Sequence, residues 1–492
     1  MSPKERLGAA ARTLWARLFE PVDIASLVFF RIAFGTLLVV EVGRYFANGW
    51  IQQFYIDPHF HFTYYGFSWV RPLPGNGMYV LFAILGALAL CIVLGYKYRV
   101  ATPLFFLGFA WVFLLDQTRY LNHFYLITLI SFLMIFVPAH RAFSLDAKFE
   151  KGVRASTVPR WTLWILLAQF SLMYVYAGIA KINADWLRGS PMRGMLARHT
   201  SLPWVGPHLT DERVVIAFAY GGLAFDLFIV PLLLWRKTRW LALLWAAAFH
   251  GMNNQLFDIG IFPFFAMAGT LLYLPPDWPR RLWSAVAPAT AFLRRGAATP
   301  SPEKAVAAAT ALQTKRARKV IQPQVSRPAV IVLSVYFALQ VLLPLRHFLY
   351  AGNVDWTDEG HRFAWRMMLR SKQGRGRFMA IDRLTGQQRF INPSTYLVRD
   401  QVSKMWVQPD TILQFAHYMA DRLRGEGWAV VEIRSSIAVS LNGRKAQMFV
   451  DPRVNLAAQK RNLMRNTWIL PLREPLPSPG ARSAADTATP SQ

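Results

Sequence analysis

At 492 residues, with 54% hydrophobic content, 18 Trp and 36 Phe, the chain is too aromatic for a disordered protein, and its single Cys excludes a disulfide framework. Apolar runs near twenty residues long exclude an ordinary soluble enzyme. The formal net charge of +28 then has three explanations: membrane topology, an anionic membrane surface, or nucleic acid.

The chain opens on MSPKERLGAAARTLWARLFEP, which is basic and amphipathic and runs into the first apolar stretch without a small-residue cleavage site. Residues 1–25 therefore read as a cytoplasmic tail. A bilayer-length window predicts about nine transmembrane helices, near 26–45, 77–96, 100–116, 121–139, 162–184, 214–235, 238–256, 258–274 and 328–349. The first eight make an all-α polytopic domain over 26–275, with the seventh and eighth the least regular. Basic residues concentrate in the tail, at Lys97 and Arg99, in the 140–160 loop, in the turn around Arg236-Lys237-Thr238-Arg239 and in the linker 276–327. By the positive-inside rule that face is cytoplasmic, so an inner-membrane protein with its N-terminus inside carries its C-terminal region outside, in the periplasm. No nucleic-acid-binding module accompanies the charge.

Residues 285–327 have little apolar periodicity and read as a mobile loop whose Lys315-Arg316-Ala317-Arg318-Lys319 cluster either records topology or touches anionic headgroups. After a ninth helix over 328–350, residues 351–474 read as a small α+β extracytoplasmic domain. FMAID and QQRFIN flank the hairpin turn Leu384-Thr385-Gly386, and Pro409 to Arg424 has helical apolar spacing. WAVVEIR, SIAVSLN and QMFVD read as three strands, the last two joined across Asn442-Gly443, and 475–492 reads as a disordered tail.

Ionisable groups inside a bilayer are costly and mark candidate sites. His123 opens the fourth predicted span, Lys181 ends the fifth and His250 lies near the end of the seventh, all at the outer face. Asp116, Asn122, Asn183, Asp185, Asn253, Asn254 and Asp258 fall at the same depth. Lys181 either snorkels to water or serves in chemistry, where an amine held away from water is favoured as a neutral base. Each histidine alone reads more readily as a satisfied interior residue, and without i,i+3 or i,i+4 partners a metal site is not expected. Arg31 and Asp226 are expected to pair across helices in the cytoplasmic half, since a lone charge there is costly. Cys91 reads as a packing residue.

The stretches Phe29-Phe30-Arg31, Arg71-Pro72-Leu73-Pro74, WVFLLDQTRYLNHFYL (111–126), AGIAKINADW (177–186), FHGMNNQLFDIGIF (249–262), LPPDWPRRL (274–282) and VDPRVN (450–455) carry a resemblance to a known family. From about Pro21 to Leu472 the chain resembles the vitamin K-dependent γ-glutamyl carboxylases, with their HTTM membrane domain, and is similar to bacterial members with a short C-terminal part. The resemblance implies a carboxylase of the lyase class with coupled epoxidase activity. A quinol, reduced vitamin K or menaquinol, reacts with O2 to give an epoxide. The strong base formed on the way takes a γ-proton from a Glu side chain, and the carbanion captures CO2. It also implies a Glu-containing protein or peptide, a membrane quinone and the lipid bilayer as partners.

By the same resemblance Lys181 is the catalytic base, His123 belongs to the carboxylation half and His250 lies toward the quinol; Asn122 and Asn253 are cofactor-binding candidates by position only, and Gln255 is a further one. The family stretch linked to Glu binding is present at Trp356, His361, Trp365, Arg366 and Arg370. Both Trp and a Met pair are kept there, but His361, Ala364, Arg366 and Arg370 replace Tyr, Ser, Asp and His. The quinol half therefore carries over better than the Glu half, and Arg366 and Arg370 suit an acidic substrate or a different acceptor. Two other readings stay open: a quinol epoxidase or oxidase without carboxylation, and a transporter or membrane scaffold. No inverted repeat or broken-helix pair favours the transporter.

Overall fold

The computed structural model describes residues 3–294 and 326–476. The linker cluster 315–319 and the expected tail from 477 onward lie outside the described residues.

An amphipathic helix, α1 (Pro3–Phe19), precedes the first apolar helix, α2 (Ala25–Ala47). Then follow α3 (Gly77–Leu94), α4 (Tyr98–Leu114), α5 (Asn122–Met134), α6 (Trp161–Lys181), α7 (Glu212–Leu234), α8 (Arg239–Leu256), α9 (Phe262–Thr270), α10 (Trp278–Arg294) and α11 (Arg327–Leu345). Apolar, straight-chain-rich runs form helices here because only a helix satisfies every backbone N–H and C=O within one segment in lipid. Helices occupy all nine predicted span positions, but among the described residues only α2, α3, α6, α7 and α11 with its 3-10 extension to Leu349 have the length and apolarity of a full crossing. At 13 residues, α5 rises about 20 Å against a hydrocarbon core of roughly 30 Å. Apolar side chains such as Val80, Ile84, Leu107, Leu241, Leu244 and Ile331 stay exposed on these helices, the outward face that lipid would cover.

α2 packs on α3, α3 on α4 and α4 on α5; α6 packs on α7, α7 on α8, α8 on α9, and α9 returns to α2. Two strands depart from the all-α expectation for this part: β1 (Pro21–Asp23) pairs antiparallel with β2 (Thr157–Pro159) and ties the entry of α2 to the entry of α6. The linker also differs from expectation at its start, where Trp278 to Arg294 is helical; Arg280 bridges to Asp23 at 2.9 Å.

The expected Arg31–Asp226 pair does not exist. Arg31 donates instead to the carbonyls of Ala139 (3.1 Å), Ala142 (3.4 Å) and Phe143 (2.6 Å). The turn after α5 thus supplies three carbonyl acceptors to the two terminal nitrogens of the guanidinium, while its Nε has no partner. Gly95, at φ +60, makes room for it: a Cβ there would lie 2.6 Å from Arg31 Nη1. Glu41 pairs within its own helix to Arg44, at 2.7 Å.

The C-terminal region holds a four-stranded antiparallel sheet in the order β4 (Gln388–Ile391), β3 (Lys372–Asp382), β5 (Val431–Leu441), β6 (Gln447–Met448), covered by α12 (Pro409–Gly425). WAVVEIR and SIAVSLN are one strand rather than two, paired with β3 from Val431↔Asp382 to Leu441↔Lys372. The apolar alternation runs through the polar Arg434-Ser435-Ser436, because Ser435 takes an inward position between Ile433 and Ile437. Asn442 (φ +53) and Gly443 (φ +81) make the turn that leads to β6.

The two parts interlock. Phe62, from the loop after α2, sits in the core of the sheet region, and Trp365 sits in the helical core. Asp116 accepts from Gln401 Nε2 at 2.8 Å, and Asp410 accepts from Gln117 at 2.6 Å and from Arg461 at 2.7 Å.

Candidate active site

α6 ends at Lys181 because Asn183 caps a new short helix, Ala184–Leu187, through the Trp186 N–H at 3.0 Å. That turn brings the Trp186 ring back to 5.1 Å from Lys181 Nζ, with Trp186 Nε1 bonded to the Ala219 carbonyl at 2.8 Å. Lys181 Nζ lies 2.5 Å from Asp226 Oδ2 on α7, and both residues are buried. The helices meet closely enough for this contact because Gly178, one turn before Lys181, sits against Leu227.

On α8, His250 Nε2 lies 3.0 Å from the Tyr174 hydroxyl, while its Nδ1 is buried with no partner. His123, at the start of α5, packs edge-on to Phe124 and tilted to Phe262, with centroid distances of 4.8 and 6.2 Å. Asn122 accepts from the Tyr120 hydroxyl at 3.0 Å, and that hydroxyl accepts from the Phe363 N–H at 2.9 Å.

These groups line one cavity of about 530 Å³. Its wall holds Lys181, Asp226, His123, His250, Asn122 and Asn253, with Tyr174, Trp186, Trp245, Phe249 and Phe262 as aromatic surfaces and Met367 and Met368 from the segment after α11. Five of the predicted residues from three helices thus come together. Gln255 does not: it is exposed and outside the wall. Sequence reasoning missed Tyr174 and Trp186 and gave Asp226 the wrong partner. Asp226 was detectable as the single charged residue in the middle of its span, but the crossing of α6 and α7 that selects Lys181 was not.

The predicted Glu-binding residues lie outside this wall. Trp356 is buried in the sheet core and donates to the Leu470 carbonyl at 2.7 Å. Trp365 packs 5.0 Å from the Tyr125 ring. His361 is buried with both ring nitrogens unpartnered. Arg366 forms a buried fork on Asp355 (2.7 and 3.2 Å), and Arg370 and Lys372 both pair with Asp358. Arg366 and Arg370, the residues expected to suit an acidic substrate, are therefore each paired within the chain.

Two family models match the chain: the HTTM domain over residues 19–278, and the vitamin K-dependent gamma-carboxylase, lumenal domain, over residues 325–475. The chain belongs to the gamma-carboxylase family. No solved structure matches it. This gamma-carboxylase family member is a vitamin K-dependent carboxylase-like membrane protein, and the lumenal-domain match makes its C-terminal region extracytoplasmic. Among the described residues no group of three or more His, Cys, Asp or Glu could hold a metal ion. A quinol fits the cavity in kind: an aromatic lining takes a planar ring, and a few polar groups, one of them the orphaned His250 Nδ1, take its oxygens.

Asp358 ties this family member's stability to pH. Burial raises its carboxyl, but the Arg370 and Lys372 cations outweigh that and hold it well below the ordinary carboxylate range. Its contribution is therefore complete above the unfolded carboxyl pKa of about 3.9 and is lost as pH falls through the lower folded value. Asp358→Asn is expected to destabilise the fold at neutral pH by about 3 kcal/mol, because the buried Lys372 ammonium and the half-buried Arg370 lose their shared partner, and to flatten the acid limb of thermal stability between about pH 4 and pH 2. Scanning calorimetry across that range reads both effects.

Proposed function

We propose that this gamma-carboxylase family member couples oxygenation of a membrane quinol to carboxylation of Glu side chains, with the cavity between α5, α6, α7 and α8 as the quinol site. Reduced vitamin K or menaquinol, with O2, would supply the oxidising power and the strong base, and CO2 would be the carboxyl donor. The observation that carries the reading is the buried Lys181–Asp226 pair in the wall of an aromatic cavity of about 530 Å³.

Lys181 Nζ would accept a proton from a hydroxyl presented in the cavity, and the Asp226 carboxylate beside it would balance the charge of the ammonium formed. His250, steadied by Tyr174, offers its second ring nitrogen as a hydrogen-bond partner to a ring oxygen. His123 and Asn122 share the cavity wall with Met367 and Met368, and the segment after α11 would bring a Glu side chain to it. The aromatic lining excludes water from a strong base. This assigns nine spans with the N-terminus inside the cell.

A second reading, quinol epoxidation without carboxylation, draws on the neutralised Arg366 and Arg370. Purified protein in nanodiscs, given quinol, O2, labelled CO2 and a Glu-containing peptide, separates the two. Labelled peptide together with epoxide is the expected result. Epoxide alone selects the second reading, and neither product from intact protein rejects both.

A further inference from the structure

The turn after β5 reaches from the sheet region into the loop behind Lys181. Asp185 stands four residues past Lys181 and next to Trp186, and it is buried. Arg444 grips both its oxygens, with Nη1 to Oδ2 at 2.6 Å and Nη2 to Oδ1 at 2.8 Å, and Asn442 Nδ2 donates to Oδ2 at 2.7 Å. The same Asn442 also holds the segment that runs up to Ser371. Its Oδ1 accepts from the Ser371 N–H at 2.8 Å and its own N–H donates to the Ser371 carbonyl at 2.9 Å. Its Nδ2 also reaches the Leu369 carbonyl at 3.4 Å. Leu369 packs in one apolar cluster with Trp186, and the two residues before it, Met367 and Met368, line the cavity. Neither Asn442 nor Arg444 lines it.

We propose that Arg444 and Asn442 are positioning residues: they clamp the Asp185 turn and the 367–371 segment together, and so fix Trp186 and the Lys181 amine relative to the cavity's outer wall. A bidentate guanidinium–carboxylate fork sets orientation as well as distance, which a lysine at the same place would not. A catalytic group displaced by about 1 Å loses on the order of 100-fold in rate, so the clamp acts on turnover rather than on quinol affinity. The turnover half rests on the reading of Lys181 as the base; the geometric half does not.

The test uses Arg444→Gln, Arg444→Lys and Asn442→Gly in the full chain, the last chosen because Asn442 sits at φ +53, which glycine adopts freely. One readout is competitive labelling of the Lys181 amine across pH, followed by mass spectrometry. The other is the split between kcat and KM for epoxide formation. Arg444→Gln is expected to shift the labelling profile of Lys181 and lower kcat about 10- to 100-fold with KM within about two-fold, with Arg444→Lys recovering part and Asn442→Gly moving the same way. Folded variants with a wild-type labelling profile overturn the proposal. Failure of all three to fold also overturns it, because the contact then serves stability alone. If wild-type protein makes no epoxide, the labelling arm still decides, so the two readings fail separately.

Discussion

Asp226→Asn is expected to lose quinol oxidation as deeply as Lys181→Ala, by about 10²–10⁴-fold, while keeping the quinol bound. The two residues lie 2.5 Å apart and are both buried, so each is the other's charge partner. In the Asp226→Asn variant the amine remains. What it loses is the stability of the ammonium that follows proton uptake, because an amide carries no charge to balance it. In the Lys181→Ala variant the proton acceptor itself is gone. Because the pair acts as a unit, the Lys181→Ala/Asp226→Ala double variant is expected to be no slower than either single one. Epoxide formation in nanodiscs together with equilibrium quinone binding reads all three. An Asp226→Asn enzyme within about three-fold of wild type would remove the carboxylate from the mechanism.

Gly178→Ala is expected to cost about 1–3 kcal/mol and to lower activity with it. A Cβ at Gly178 would lie 2.7 Å from Leu227 Cδ2, 2.9 Å from Leu227 Cγ and 3.1 Å from the Leu227 backbone nitrogen. The side-chain atoms can be removed, but the backbone nitrogen cannot move without separating α6 from α7, and those are the helices that bring Lys181 to Asp226. Leu227→Ala in the Gly178→Ala background is therefore expected to recover part of the stability and little of the activity. Full recovery of both would show that side-chain crowding, rather than helix separation, is what the glycine prevents. Thermal unfolding in detergent and epoxide turnover measure the two quantities side by side.

Hydropathy carried the helix positions well, because long apolar runs leave the backbone few choices in lipid. It carried less about how many of those helices cross fully: α5 and α9 are short, and Arg239 to Leu256 ends in the polar His250 to Gln255 stretch. Lys181, His123, His250, Asn122 and Asn253 were legible as outliers of polarity at one depth, and all five line the cavity. The partners were not legible. Asp226 was matched to Arg31 on the premise that a buried cation needs a carboxylate, whereas three carbonyls from the turn after α5 meet Arg31. Arg366 and Arg370 were read as suiting an acidic substrate, but Asp355 pairs with the first and Asp358 with the second and with Lys372, and sequence does not say which neighbours fold back on one another.

The fork between Asp185 and Arg444 spans 259 positions of the chain. At a synthesis rate of about 5–20 residues per second, roughly 10–50 s separate the appearance of the acid from that of its base. During that interval the Asp185 turn has no partner from the sheet region, and the cavity wall behind Lys181 is incomplete. Maturation of the site thus waits on translation of the sheet region, and a ribosome stalled before Arg444 leaves the Asp185 turn unlatched.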